Sequence, residues 1–257
     1  MMLGALLLLV PAHDHWLDVV NTTTVGWMVH HRVGEGLVTE LERPWEPDKT
    51  QRAELRGLTK TVDLLTRKKE KKQKKYGPLV LGKKIEPGLL IIDRKAVDIT
   101  LEGPKFLAYL REEGIDRALN RQGLVVDSTR PNKERYRRYL KAIVGPYAPH
   151  AAIGQRLEIV PISPLGSGAA RVDVTLLFDG MPLAGATMFA EHRDGARLDR
   201  EGLTTAEDGT TTFSLSHPGR WLIRTVHMRK CATDCGPAEW ESHWAALTFD
   251  VPATEKR

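Results

Sequence analysis

The sequence lacks the motifs on which several common enzyme classes depend. It contains no glycine-rich phosphate loop, no G-x-S-x-G nucleophile elbow, no H-E-x-x-H motif and no pair of C-x-x-C motifs. Phosphate-loop enzymes, serine hydrolases built on a nucleophile elbow, and zinc fingers are therefore not predicted. The sequence indicates a binding protein rather than an enzyme.

A long hydrophobic run is also missing. The longest apolar run, Leu3 to Val10, is much shorter than the ~20 residues that cross a bilayer as a helix. It ends in Val10-Pro11-Ala12, which fits the small-residue pattern of a signal peptidase site. We predict a signal peptide over residues 1–12, a mature chain that begins at His13 without a membrane span, and a periplasmic or secreted location. The alternative is a buried N-terminal strand of a cytosolic protein.

Cysteine is scarce. Cys231 and Cys235 are the only two in 257 residues. In an oxidising compartment such a pair indicates a disulfide that closes a short loop, whereas in the cytosol it would be half of a metal site. The disulfide prediction therefore depends on export.

Positive charge is concentrated in one segment. The net charge is +5, and the stretch from Arg67 to Lys75 carries much of the excess. Neither interleaved aromatic residues nor a recognisable nucleic-acid module accompanies it. We therefore predict a solvated loop at residues 67–75 and no nucleic-acid partner.

Short apolar runs separated by turn residues predict a mainly β protein. We expect a β-rich domain at 13–103, a helical insertion at 104–150 and a β-sandwich at 151–257, so that two Ig-like sandwiches flank the insertion. Helical spacing predicts one helix from Pro104 towards Gly114 and a second from Pro131 to Val144. In the last domain, Asx-Gly turns such as Asp194-Gly195 separate strand-length runs.

Because the motifs of other functional sites are missing, histidine is the titratable residue type that remains as a candidate for the site. A mature N-terminal His13 offers its α-amine and its ring as a chelate, and His15 lies two residues later on the same face of a strand. We expect His227 and His243 to be cross-strand neighbours, with Glu241 or Asp14 as an added oxygen ligand. We predict a metal site of His13, His15 and His227 for nickel, cobalt, copper or zinc. His30 and His31 form a weaker pair, and the three histidines near turns, His150, His192 and His217, receive no role.

Several segments resemble, in order, a bacterial family of exported proteins with a domain of unknown function. Members of that family are commonly labelled as periplasmic components of a cobalt/nickel transport system. The most specific matches are the helix FLAYLREEG and the pair PGRWLIRTVHM and WESHWAALTF. The resemblance places family histidines at His13 and His227, and implies nickel or cobalt as cargo and a membrane metal transporter as partner. The C-terminal region also resembles transthyretin-like sandwiches.

Two other functions remain open. One is a cell-envelope adhesion or carbohydrate-binding module in which the six tryptophans pack or stack on sugars. The other is a copper-dependent oxidase that uses a histidine brace. A nickel column distinguishes metal binding from the first of these functions: a metal-binding protein is retained without a tag, whereas an adhesion or carbohydrate-binding module is not.

Overall fold

A computed structural model describes residues 14–35, 37–66, 77–147, 151–163, 165 and 170–253. The predicted signal peptide, His13 and the basic segment 67–75 lie outside the described residues. Within the described part of the chain, no helix is long and apolar enough to cross a membrane.

The described residues form seventeen strands, two α-helices and a short 3-10 helix at Pro47–Lys49. In chain order the strands and α-helices are β1 (Asp14–Thr22), β2 (Gly26–Glu35), β3 (Val38–Arg43), β4 (Thr50–Gly57), β5 (Thr61–Asp63), β6 (Leu79–Gly82), β7 (Gly88–Arg94), β8 (Val97–Leu101), α1 (Gly103–Glu112), α2 (Ile115–Arg121), β9 (Asn132–Val144), β10 (Leu157–Pro161), β11 (Arg171–Phe178), β12 (Met181–Pro182), β13 (Thr187–Asp194), β14 (Arg197–Thr204), β15 (Thr210–Ser214), β16 (Gly219–Lys230) and β17 (Trp240–Val251). The expected mainly β, sandwich-type fold class is confirmed.

The strands form three sheets. The largest has nine strands, with the order β14-β13-β16-β17-β9-β7-β4-β5 and β8 paired to β9. A front sheet contains β1, β2, β3 and β6, and a back sheet contains β10, β11, β12 and β15. The nine-stranded sheet takes strands from both sides of the predicted insertion, so the two sandwiches share it.

Alternation along the central strands supplies a core on each face of the nine-stranded sheet. On β7, Leu89 and Ile91 pack towards the back sheet, whereas Leu90 and Ile92 pack towards the front sheet. A strand covered on both faces is apolar at nearly every position, which explains the uninterrupted apolar run Leu89–Ile92 within β7.

The helix predicted from Pro104 is confirmed as α1. Phe106, Tyr109 and Leu110 form its buried stripe, and together with α2 they cover Trp240 and Trp244 of the central sheet.

The second predicted helix is wrong, because residues 132–144 form the long strand β9. Tyr136, Leu140 and Val144 are four residues apart, a spacing that fits one face of a helix and also one face of a strand. β9 pairs in parallel with β17 and antiparallel with β7 and β8, so it lies inside the largest sheet. In the described part of the predicted insertion, residues 104–147, helix is therefore confined to the first half.

Candidate metal centre and ligand cleft

The first strand places His15 against another histidine. In the antiparallel β1–β2 pair, His15 stands opposite Val33 and Leu17 opposite His31, so the two histidines are diagonal neighbours. Nδ1 of His15 lies 2.9 Å from Nε2 of His31. His31, which the sequence analysis ranked as a weaker candidate, is thus the close partner of His15.

His15 and His31 line a cleft of about 500 Å³. Burial, followed by the charges of the arginines around them, lowers the pKa of both imidazoles well below the ordinary value. Both rings are neutral at neutral pH, which suits metal binding. The described lining contains one carboxylate, that of Asp48, and five cations that repel a metal ion. These cations are Arg43, Lys49, Arg94, Lys95 and Arg138.

His227 and His243 are directly opposite each other on β16 and β17, which confirms the predicted pairing. Both rings contact Phe178 of the back sheet, with centroid separations of 4.5 and 5.2 Å. Burial lowers the pKa of His227 to about 4 and that of His243 to about 2. Glu241, the predicted oxygen ligand, has Oε2 at 3.6 Å from Nε2 of His243.

The two histidine pairs lie on opposite faces of the nine-stranded sheet. The ring of Tyr139 stacks on His243 at the back face, whereas the adjacent Arg138 lines the cleft of His15 at the front face. The structure therefore does not bring His15 and His227 together. Asp14, also considered as a ligand, makes a buried ion pair of 2.7 Å with Arg224 instead.

A third cluster joins His192, Asp199 and His217. One ligand atom of each residue lies within 4.8 Å of the others. Oδ2 of Asp199 is 4.0 Å from Nδ1 of His192 and 3.6 Å from Nδ1 of His217. His192 is only 4% exposed, and its Nδ1 has no hydrogen-bond partner among the described residues.

Surrounding groups fix the orientation of these three side chains. Nε2 of His192 donates to the carbonyl of Pro218 at 3.0 Å, which leaves the lone pair on the orphaned Nδ1. Nε of Arg197 donates to the other Asp199 oxygen at 2.7 Å. Gly219 has φ of +114°, and a Cβ there would stand 3.2 Å from Nε2 of His192, so the close approach favours glycine. This support resembles the outer shell of a metal site.

The sequence analysis missed this cluster because it judged each histidine near a turn separately. The Asp194-Gly195 turn was recognised, and a hairpin around it brings residue 192 opposite residue 199. The register of this hairpin could therefore have predicted that His192 and Asp199 lie close together. His217 arrives from the loop before β16, which no local pattern connects to the hairpin.

The predicted disulfide is confirmed. Cys231 and Cys235 are bonded, with Cα atoms 5.9 Å apart, in the loop that joins β16 to β17. The bond shapes this loop at the end of the His227–His243 hairpin.

The fold is thus that of a mainly β protein in which two smaller sheets cover a large shared one. Residues 10–229 match the family model described as "Domain of unknown function (DUF4198)", and the chain belongs to that family. A domain-of-unknown-function family, as identified from the sequence, is confirmed. A search of curated proteins found no match.

Proposed function

We propose that this protein binds a divalent transition-metal ion at His192, Asp199 and His217, as an exported protein that captures or delivers the ion. The observation that carries the proposal is the buried Nδ1 of His192, which has no hydrogen-bond partner among the described residues and lies 4.0 Å from Oδ2 of Asp199. Buried polar atoms in proteins almost always have a partner, and a metal ion would supply one here.

The spacing of the donors fits such an ion after a small inward movement. Two donors of a tetrahedral ion at ~2.0–2.1 Å are about 3.3 Å apart. The separations of 3.6 and 4.0 Å around Oδ2 of Asp199 are slightly larger than that. Two imidazoles and one carboxylate suit nickel, cobalt, copper or zinc better than calcium or magnesium.

Exposure of the site favours exchange of the ion. The side chains of Asp199 and His217 are 25% and 41% exposed, so water or another ligand can reach the remaining coordination positions. A surface ion of this kind can be captured and released, as a carrier requires. The resemblance found in the sequence supports nickel or cobalt as cargo and a membrane transporter as recipient.

The cleft histidines are the second candidate location for the same function. The 2.9 Å approach of His15 to His31 favours them, and the N-terminal chelate of His13 directly precedes β1. The five cations of the cleft oppose a bound cation, whereas Asp199 supplies negative charge at the other site. We therefore favour His192, Asp199 and His217.

The tryptophans give less support to a carbohydrate-binding module. Four of the six are buried, namely Trp16, Trp221, Trp240 and Trp244. The other two, Trp27 and Trp45, are partly buried against the front core. Sugar stacking needs an open aromatic face.

A hydrolytic role also receives little support from Ser216. Its hydroxyl lies 2.7 Å from Nδ1 of His217, the same nitrogen that faces Asp199. In a serine–histidine–aspartate triad, the serine and the aspartate contact different ring nitrogens. The same atoms suit metal binding better.

Calorimetry with nickel on the untagged protein tests the proposal. We expect His217→Ala and Asp199→Asn each to weaken binding by at least about 100-fold, because each removes a ligand. His30→Ala is the matched control, since His30 pairs with Glu42 on the surface of the front sheet. Unchanged affinity in both ligand variants overturns the proposal, and loss only in His15→Asn or after an N-terminal extension moves the site to the cleft.

A further inference from the structure

We infer that the cleft between the front sheet and β9 binds a small organic molecule with two or more oxyanion groups, held by Arg138 and Arg43. This ligand is separate from the metal ion proposed above. The cleft and the metal site also share no residue.

The size of the cleft suits an organic molecule rather than a single ion. Its volume is about 500 Å³, and small-molecule sites typically measure ~300–1,000 Å³. Val97, Ile99 and Tyr136 provide apolar surface on one wall. The ligand therefore has a carbon skeleton in addition to its charges.

Arg138 is the strongest indication of an anion. It is 6% exposed, and its Nε has no hydrogen-bond partner in the described part of the chain. Glu134 interacts with it electrostatically, but burial raises the pKa of Glu134 to about 7, so this carboxyl group is only a partial counter-charge. A buried guanidinium without a full counter-charge is strongly unfavourable. Among the described residues around Arg138, the cleft provides the space in which an anion can contact its guanidinium.

The geometry of Arg138 prepares it for an oxyanion. Its guanidinium carbon lies 4.4 Å from the centroid of the Tyr136 ring and 5.1 Å from that of Trp244. Stacking on aromatic rings leaves the N–H edge of a guanidinium accessible in its plane. The Tyr136 side chain hydrogen-bonds part of this edge, and the remaining donors can contact a carboxylate or phosphate.

Arg43, on the front sheet, and other cations complete the charged lining of the cleft. Arg43 ends β3 opposite His31, and Arg94 is fixed by Glu46 at 2.7 Å and by the hydroxyl of Thr50 at 3.1 Å. Lys49 has a 59% exposed side chain and pairs with Glu46 at 2.6 Å, so Lys49 and Arg94 share that carboxylate. Positive charge on two walls requires a ligand with at least two anionic groups.

Calorimetry with citrate and with pyrophosphate tests this inference on metal-free protein at low salt. Acetate and inorganic phosphate are the single-anion comparators. We expect citrate, pyrophosphate or both to bind, with an affinity that falls as salt is added. Preference between the two distinguishes a carboxylate ligand from a phosphate ligand.

Two variants and a control locate the binding. Arg138→Lys keeps the charge but not the planar fork, and we expect at least 10-fold weaker binding. Arg43→Gln at the half-buried end of β3 should weaken it similarly. Arg32→Gln is the control, since Arg32 lies on the other face of β2 and pairs with Asp18 and Glu42. Circular dichroism and thermal melting verify that each variant is folded.

Three results would overturn the inference: neither probe binds the wild type with a Kd below about 1 mM, the comparators bind as tightly as the probes, or both cleft variants bind normally. His217→Ala separates this test from the metal proposal. It should abolish nickel binding and leave citrate and pyrophosphate binding unchanged.

Discussion

Acidification should destabilise this protein through its buried neutral histidines. His227 has a native pKa of about 4 and His243 one of about 2, whereas an unfolded histidine titrates near ~6.5. Between those values the unfolded chain binds a proton that the native protein does not. Stability is therefore present above the unfolded pKa and is lost as pH falls below ~6.5. His15 and His31 act in the same direction.

The size of the effect follows from the shifts. At pH 5 an unfolded histidine has gained about 2 kcal/mol from protonation, on the basis of ~1.36 kcal/mol for each pKa unit. His227 and His243 remain largely unprotonated in the native state at that pH, so together they remove about 4 kcal/mol. That is a large part of the ~5–15 kcal/mol that holds a typical domain folded.

Urea denaturation at pH 7.5, 6.0 and 5.0 measures this loss, with chelator present to exclude bound metal. His227→Gln cannot titrate, so the wild type should lose about 2 kcal/mol more than this variant between pH 7.5 and 5.0. Met228→Leu, a volume-conserving change on the same strand, should shift the free energy of unfolding equally at each pH. Parallel curves for the wild type and His227→Gln would refute the assignment of a neutral buried imidazole.

Three further predictions concern other parts of the chain. Burial raises the pKa of Glu134 to about 7, so its proton stabilises the fold at low pH and is lost above pH 7. In urea denaturation at pH 8.5, Glu134→Gln should therefore be more stable than the wild type by on the order of 3 kcal/mol. Thiol titration of the denatured, unreduced protein should find no free thiol, and two reactive thiols would contradict the Cys231–Cys235 bond. Mass spectrometry of protein from the producing cell should show a mature chain that begins at His13, whereas intact Met1 in the cytosol would contradict export.

Most strands of the C-terminal half could be predicted because two local signals agree there. Apolar residues alternate, and Asx-Gly pairs mark several of the turns. The pairing of β16 with β17 and the opposition of His227 and His243 followed from the Cys231–Cys235 loop, which joins the two strands as a hairpin. The strands β3, β4 and β14 are less evident in the sequence, because they carry many charged residues. Examples are Glu42, Arg52 and Arg200, which form ion pairs within the same strand or with the adjacent strand of a hairpin.

The candidate sites depended on contacts that local patterns do not contain. His15 and His31 meet through a diagonal contact between β1 and β2. His192 and Asp199 meet across a hairpin, and His217 joins them from a loop. The residue types therefore predict that histidines act as metal ligands. The register between strands determines which histidines lie close together.

The error over β9 also explains why the cleft was not predicted. In a helix over 131–144, Arg138 and Lys141 would lie on solvated faces and need no partner. In the central strand, Lys141 points to the back face and pairs with the buried Glu158 at 3.1 Å, whereas Arg138 points to the front face and lies beneath the cleft. The two cations are three residues apart and therefore face opposite sides of the sheet. Lys141 has a fully buried counter-charge, whereas Arg138 has only the carboxyl group of Glu134, whose pKa is raised to about 7. This difference is why we infer that a ligand brings negative charge to Arg138.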